Sequence, residues 1–483
     1  MEICMRQDET RKIKQNIVFN IIRTLFSVAY PVITFTYAAR ILNVDDMGSV
    51  AFIRNFVAYF SLLASLGVSY YGIRESARIA ENKYKFSKFF WEINLINSFT
   101  TVISGVLLFT VIFTVSRLEE YRILLLINSV NLILCGFSNE WVLGAKEEYK
   151  YMSIRSILIQ LFCVIAIFAF IHTKEDYIKY SAILMVSTNG ANIFNWIYIS
   201  RRKIISKIPI RELDIKKHLK PIFVLFAMLV SIDLYTMLDT TMLGFIKGDY
   251  AVGIYNASIK IPRLVNSVIG SVGAVLVPRL SYYYDKDIRK FKELVNKAWE
   301  FIIFITVPAF LGIIMMSNEI VMVFAGDQYT DAFVTTKILA PIVLIIPISV
   351  LFNNQVFIPM RKEIFVLKST CVGAAVNLVL NAIFIPKFAE NGASIATVAA
   401  ELSVMLVCAY HVKKELDPQN VAGKYLRAIA TSLCILFISM GFRQWVANVY
   451  IRLFSTVLAS ALCYGVFNFK VIKDFIWTKQ PYK

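Results

Sequence analysis

Charge is scarce in this chain. Of its 483 residues only 17% are Asp, Glu, Lys or Arg, against about 25% in an average soluble protein. Histidine occurs three times. The seven cysteines (Cys4, Cys135, Cys163, Cys371, Cys408, Cys434 and Cys463) lie mostly in apolar runs, with no CxxC and no Cys/His spacing. They read as small hydrophobes, with no disulfide and no metal site implied. P-loop, GxSxG and GxGxxG motifs are missing, which disfavours ATP-driven transport within the chain and hydrolytic chemistry; the chain reads as a non-enzyme without an organic cofactor. Long polar stretches are missing as well, the longest running from Arg201 to Lys220. A soluble chain of this length would divide into domains joined by polar linkers. A large soluble enzyme is therefore excluded.

What is present is apolar. The sequence is 58% hydrophobic and 14% aromatic, with a mean hydropathy of +0.63. A membrane-spanning helix needs roughly 20 predominantly apolar residues. By that ruler fourteen segments qualify: 16–41, 48–73, 89–115, 122–143, 153–172, 178–200, 220–246, 254–279, 298–316, 333–358, 365–386, 392–412, 425–442 and 451–470. The fold class expected is an all-α polytopic membrane protein. The polar start, Met1 to Gln15, precedes an apolar run too long for a signal-peptide core, so the first helix is expected to stay. Pro31, Pro308, Pro341 and Pro347 are expected to interrupt their helices and supply hinges.

The net charge of +18 would suggest nucleic acid on a soluble protein; in a membrane protein it marks basic cytoplasmic loops. With a cytoplasmic N-terminus, 37 of the 51 Lys and Arg fall in the cytoplasmic segments and 11 in the external loops. Both termini are then cytoplasmic. The three left over, Arg23, Arg54 and Arg263, lie within spanning helices. An internal repeat is also visible: Val50-Ala-Phe52 after Met47-Gly48 resembles Ile254-Tyr-Asn256 after Val252-Gly253. Segments five and six likewise match eleven and twelve. Two six-helix halves are expected, 1–217 and 218–413, followed by 414–483 with two more helices. Parallel repeats of this kind suggest a transporter whose substrate site lies between its halves.

Charges inside a membrane are costly and point to function. Arg23, Arg54 and Arg263 could line a cationic cavity for an anionic substrate, since the planar guanidinium donates two parallel hydrogen bonds to phosphate. The alternative is snorkelling or a structural ion pair. Asp233 and Asp239 share segment seven but, six residues apart, face different directions. Asn377 and Asn381 lie one turn apart on one face, and Thr397 lies in segment twelve. Asp239, the two amides and this hydroxyl are hard oxygen ligands suited to a small cation, or to a proton relay; the alternative is an interhelical hydrogen-bond cluster. Glu140 and Trp141 read as an interfacial anchor, and Glu300 and Glu401 as structural. His172, His218 and His411 read as isolated, with no His–carboxylate cluster.

Several stretches resemble bacterial polysaccharide repeat-unit flippases, the Wzx-type branch of the multidrug/oligosaccharidyl-lipid/polysaccharide exporter superfamily. They are Pro31 to Leu42, Asn139 to Met152 and Leu234 to Gly244. Val252 to Ile261, Val277 to Ser281 and Asn391 to Glu401 continue the resemblance. It implies two six-helix lobes in a V shape, and transfer of an undecaprenyl-pyrophosphate-linked oligosaccharide between leaflets of the bacterial plasma membrane. Membrane lipids, a polysaccharide polymerase and glycosyltransferases are the implied partners, with no nucleic acid. In the related lipid II flippases, arginines on helices 1, 2 and 8 form a cationic cavity; Arg23, Arg54 and Arg263 occupy those helices here. A sodium site there uses helices 7, 11 and 12, which Asp239, Asn377, Asn381 and Thr397 fit, with Ala393 as a carbonyl ligand. Where a second acid would stand, this chain has Asn381, and a site with one carboxylate binds cations more weakly. Two rival readings are a cation-coupled multidrug antiporter of the same superfamily and a membrane polysaccharide polymerase.

Overall fold

The computed structural model describes residues 2–413 and 421–469. These form helices, with no strand among the described residues. They divide into two compact units, residues 1–234 and 235–483. The division falls inside α10 (Lys216–Lys247) and not at the 217/218 boundary read from the sequence.

Unit 1 contains α1 (Glu2–Ile41), α2 (Val44–Ser65), α3 (Val68–Ile79), α4 (Lys83–Thr114) and α5 (Arg122–Gly136). It continues through α6 (Glu140–Ala145), α7 (Tyr149–Phe170), α8 (Tyr177–Asn189) and α9 (Ala191–Arg201). α1 lies along α7, α2 packs against α4 and α5, and α5 packs against α8. The segment expected at 48–73 is broken, because Leu66 and Gly67 both take left-handed backbone conformations, with φ of 41° and 74°. Below that break Trp141 is fully buried among Phe86, Phe89, Phe90 and Tyr71. A Cβ on Gly72 would meet its ring at 2.7 Å, so only glycine lets the indole pack so close to the backbone. Trp141 is thus a core residue, which corrects the interfacial role expected for it.

Unit 2 holds the rest of α10, then α11 (Asp249–Lys286), α12 (Ile288–Phe324), α13 (Ala332–Leu339) and α14 (Ile342–Val350). A π-helical turn, Leu351–Phe357, leads to α15 (Glu363–Lys413), α16 (Val421–Trp445) and α17 (Val449–Phe467). Its core gathers Leu280, Phe291, Leu351, Phe352, Val356 and Phe357. The 51-residue α15 is two helices, since Ala389 leaves helical geometry (φ 47°, ψ −126°). The two arms approach so closely that a Cβ on Gly392 would meet the Phe384 carbonyl oxygen at 2.3 Å. α16 and α17 pack on α12, where Glu319 pairs with Arg443 at 3.0 Å and Arg452 at 3.4 Å.

Among the described residues nine helices are long and apolar enough to cross a membrane, ten if the two arms of α11, bent by 48°, count as one. The two arms of α15 match segments eleven and twelve, α1 and α10 match segments one and seven, and α8 with α9 matches segment six. A count of fourteen is consistent with this arrangement. Large apolar side chains remain exposed along the outer faces, such as Phe99, Val102, Val106 and Phe113 on α4 and Phe437 and Phe454 on α16 and α17. Surface of that extent suits lipid and not water. The chain is a multi-pass membrane protein.

Two of the prolines act differently from expectation, while Pro341 and Pro347 do mark interruptions. α1 runs through Pro31, and α12 runs through Pro308 and leaves helical geometry only at Met316. A proline forfeits one backbone hydrogen bond, and neighbouring helices hold the remaining turns in place. Pro341 stands at the start of α14, and Pro347 lies inside it, just ahead of the π-helical turn.

Candidate functional site

The residues that the sequence singles out in segments seven, eleven and twelve meet in unit 2. Asp239 is buried near the end of α10. Its Oδ1 accepts hydrogen bonds from Asn377 Nδ2 at 2.8 Å and Asn381 Nδ2 at 2.7 Å. The one-turn spacing on the first arm of α15 aims both amides at the same oxygen. Oδ2 accepts from Thr397 Oγ1 at 2.8 Å and from the Tyr255 hydroxyl at 2.7 Å. The Ala393 carbonyl, also 2.8 Å from Thr397 Oγ1 on the second arm, competes for that hydroxyl's single proton, and the hydroxyl lies 2.9 Å from that of Tyr255. Asn381 Nδ2 further bridges to Asn377 Oδ1 at 3.0 Å. Among the described residues, Asn381 Oδ1 is buried without a hydrogen-bond partner.

A buried carboxylate is tolerated only when its oxygens are saturated by donors, and here four side chains saturate them. Tyr255 is the member that sequence reasoning misses. It stands inside the internal repeat and the resembling stretch at 252–261, but as an aromatic it reads as core. The side chain of Asp233 lies outside the described residues.

The intramembrane arginines fall into two kinds. Arg23, on α1, donates from Nη2 to Glu140 Oε1 at 2.7 Å. Glu140 is therefore an ion-pair partner, where an interfacial anchor was expected, because α1, α6 and α7 converge there. Arg155, on α7, lies 3.5 Å from the same carboxylate oxygen. The charge pattern places it with the cytoplasmic basic residues, yet it is buried. Among the described residues, Arg54, on α2, reaches the Thr188 hydroxyl, at 3.4 Å. Arg263, on α11, is exposed. Among the described residues neither Arg54 nor Arg263 has a carboxylate within ion-pair distance.

The histidines also differ from expectation in one case. His218 Nε2 lies 2.8 Å from Glu92 Oε2, and its Nδ1 lies 2.8 Å from the Tyr71 hydroxyl. The segment after α9 folds back over α4, where Glu92 also accepts from the Asp214 N–H at 2.8 Å and from Lys217 Nζ at 3.1 Å. Trp91 Nε1 donates to the Ser206 carbonyl at 3.0 Å. A His–carboxylate cluster thus exists, brought about by a fold-back that separation in sequence conceals. Glu300 pairs with Lys424 at 3.2 Å, and His411 Nδ1 lies 2.8 Å from the Val407 carbonyl oxygen. Outside the membrane, Lys179 and the His172 and Thr173 N–H groups hold Asp176 well below the usual carboxylate range.

Two helical units with apolar outer faces and a caged acid define a polytopic helical membrane protein. The fold is similar to that of a solved structure titled "Lipid II flippase MurJ, inward closed conformation" (TM-score 0.74, 16% identity, 95% of this chain and 100% of that one). It is also similar to an inward-facing multidrug resistance MATE family transporter of the MOP superfamily (TM-score 0.65, 14% identity, 83% and 98%). The chain belongs to the polysaccharide biosynthesis protein family, which matches residues 13–284. Among curated relatives, the "Putative O-antigen transporter" of Escherichia coli (strain K12) is 22% identical over 393 residues, 81% of this chain and 94% of its own. The "Probable low-salt glycan biosynthesis flippase Agl15" of Haloferax volcanii is 21% identical over 232 residues, 48% of this chain and 49% of its own.

Proposed function

We propose that the protein is a flippase for lipid-linked oligosaccharides. It would move an undecaprenyl-pyrophosphate-linked repeat unit from the cytoplasmic to the outer leaflet of the bacterial plasma membrane by alternating access. Both termini are cytoplasmic in this reading. The observation that carries it is that Arg54 and Arg263 lie on apolar helices with no carboxylate partner among the described residues. A cation in that setting is expensive and calls for an anionic ligand. A pyrophosphate supplies that charge in a form that guanidinium forks bind bidentately. A multidrug antiporter for cationic substrates would be repelled by the same groups.

In this mechanism Arg23, Arg54 and Arg263 bind the pyrophosphate, while the polyprenyl tail stays in lipid. The Asp239 cage contributes the bias between states. Its residues fit a small monovalent cation or a proton: the carboxylate, the Thr397 hydroxyl, the Ala393 carbonyl and the amide oxygens of Asn377 and Asn381 are hard oxygen donors, and Asn381 Oδ1 is buried with no partner. A cation held there would supply charge neutralisation for the carboxylate. Asp239, Asn377 and Asn381 join α10 to the first arm of α15, and Thr397 joins the second, so the cage ties three helical segments together. Partners in this reading are a polysaccharide polymerase and glycosyltransferases acting on the same lipid carrier.

The test is export of surface polysaccharide in cells carrying Arg54→Ala, Arg263→Ala or Arg23→Ala, with membrane expression checked. Loss of export with intact protein levels is expected for each. Full export in all three would overturn the reading.

A further inference from the structure

The cluster of Arg23, Arg155 and Glu140 in unit 1 has an unbalanced charge. One carboxylate oxygen, Glu140 Oε1, serves two guanidinium groups, at 2.7 Å from Arg23 Nη2 and 3.5 Å from Arg155 Nη2. Arg155 is the buried member, its side chain 6% exposed, whereas Arg23 and Glu140 are 28% and 35% exposed. Among the described residues, Arg155 Nε and Nη1 are buried with no hydrogen-bond partner. Its other contacts are weak: Ser156 Oγ at 3.4 Å from Nη2, and the Tyr151 ring with its centroid 6.0 Å away.

Buried donors without acceptors are rare and ask for an explanation. Nε and Nη2 form one edge of the guanidinium, the edge that grips a carboxylate or phosphate with two parallel bonds. Among the described residues Nε of that edge has no partner, and Nη2 makes only long contacts, with Glu140 and Ser156. Glu140 opens the six-residue α6, directly after a non-helical stretch at 137–139. Its half-buried carboxylate is thus reachable and is carried on a short element. A group with more negative charge and more oxygens than one carboxylate would satisfy both arginines where Glu140 cannot.

We propose that Arg23 and Arg155 form a phosphate subsite that Glu140 occupies in the absence of substrate, and that the substrate's pyrophosphate displaces the Glu140 carboxylate from both arginines. Arg155 is then a substrate-binding residue alongside Arg23 and Arg54. Glu140 is a positioning residue that keeps two like charges together until the ligand arrives. This inference rests on the flippase reading and names one of its substrate contacts.

The experiment uses the full chain in phosphatidylcholine nanodiscs and measures binding of radiolabelled farnesyl pyrophosphate, a soluble polyprenyl pyrophosphate. Arg155→Ala should weaken binding about 10-fold or more and Arg155→Lys by a smaller factor, because lysine keeps the charge and loses the fork. Glu140→Gln should tighten binding roughly 3- to 10-fold, because the competing anion is gone. Opposite signs for the two positions are the signature. A purely structural ion pair would shift both in the same direction, with matching losses of Tm, and would overturn the proposal. If Arg155→Ala fails to fold, Arg155→Lys and Glu140→Gln carry the same test. Equal competition by added phosphatidylglycerol would mean a general headgroup site and would also overturn it. Weakened binding in Arg54→Ala with unchanged binding in Arg155→Lys and Glu140→Gln would sink this subsite and leave the flippase reading standing. No binding by the wild-type chain would sink both.

Discussion

Asn381 Nδ2 donates to Asp239 Oδ1 at 2.7 Å, closing a contact between residues 142 positions apart in sequence. With Asn377, Thr397 and Tyr255 it supplies donors to both carboxylate oxygens, so a cation reaches Asp239 only when the two amides turn their oxygens toward it. Asp239→Asn would place an amide NH2 among these donors. Each unsatisfied buried polar group costs about 1–3 kcal/mol, so the variant should unfold at a clearly lower temperature. If a cation binds here, sodium at a hundred times its Kd should stabilise the wild-type protein by about 2.7 kcal/mol, and Asp239→Asn should abolish that gain. Thermal unfolding in sodium against potassium reads both effects. An equal sodium response in the variant would exclude Asp239 as a ligand.

Tyr255→Phe keeps the ring and removes one donor from a charged acceptor. A hydrogen bond to a charged group is worth about 1.5–3 kcal/mol, and the loss should appear in the same unfolding measurement. A wild-type midpoint would mean that the Tyr255 hydroxyl contributes nothing to the cage.

Glu92→Gln weakens the anchor of the segment between α9 and α10. Three donors converge on Glu92, and one of them, Lys217, is half-exposed. The expected cost is about 2–3 kcal/mol, below that of a fully dry pair. Trypsin should then cut at Arg211 and Lys216 faster than in the wild type under native conditions; an unchanged cleavage rate would show that the anchor lies elsewhere.

Asp176 gives a pH dependence with a definite sign. Lys179 and two backbone N–H groups favour its ionised form, so its folded pKa lies below the unfolded value of about 3.9. The stability it contributes is present above that value and is lost as the pH falls through the folded pKa. Hydrogen exchange in residues 171–180 should be slow near neutral pH and accelerate on acidification, once corrected for intrinsic rates. Asp176→Asn should show the fast exchange already at neutral pH.

Gly392→Ala forces a methyl against the Phe384 carbonyl, 2.3 Å away. Overpacking of this kind costs about 1–3 kcal/mol, and the reversal between the arms of α15 cannot shift without moving Thr397. Reduced folded yield and reduced thermal stability are expected; wild-type behaviour would show that the reversal has slack.

Much of the Asp239 cage is legible in the amino-acid sequence. Asn377 and Asn381 stand out by one-turn spacing in an apolar segment, and Asp239 by its charge there, because burying such groups is costly enough to be informative. Tyr255 gives no comparable signal, since an aromatic in a membrane helix is ordinary until its hydroxyl is seen to have a partner. Arg155 is hidden for the opposite reason. It lies near a basic loop, where a cation is cheap, and only the packing of α1 and α7 shows that it is buried.

The amino-acid sequence alone marks this as a polytopic helical membrane protein, because hydrophobic length and charge are local quantities that the bilayer enforces segment by segment. Tertiary structure alone decided which distant groups meet. It joined His218 to Glu92, Glu140 to Arg23 and Arg155, and Tyr255 to Asp239. Each of those partnerships depends on how far one helix is turned against its neighbour, and a rotation of a single residue, about 100°, would aim the same side chains elsewhere.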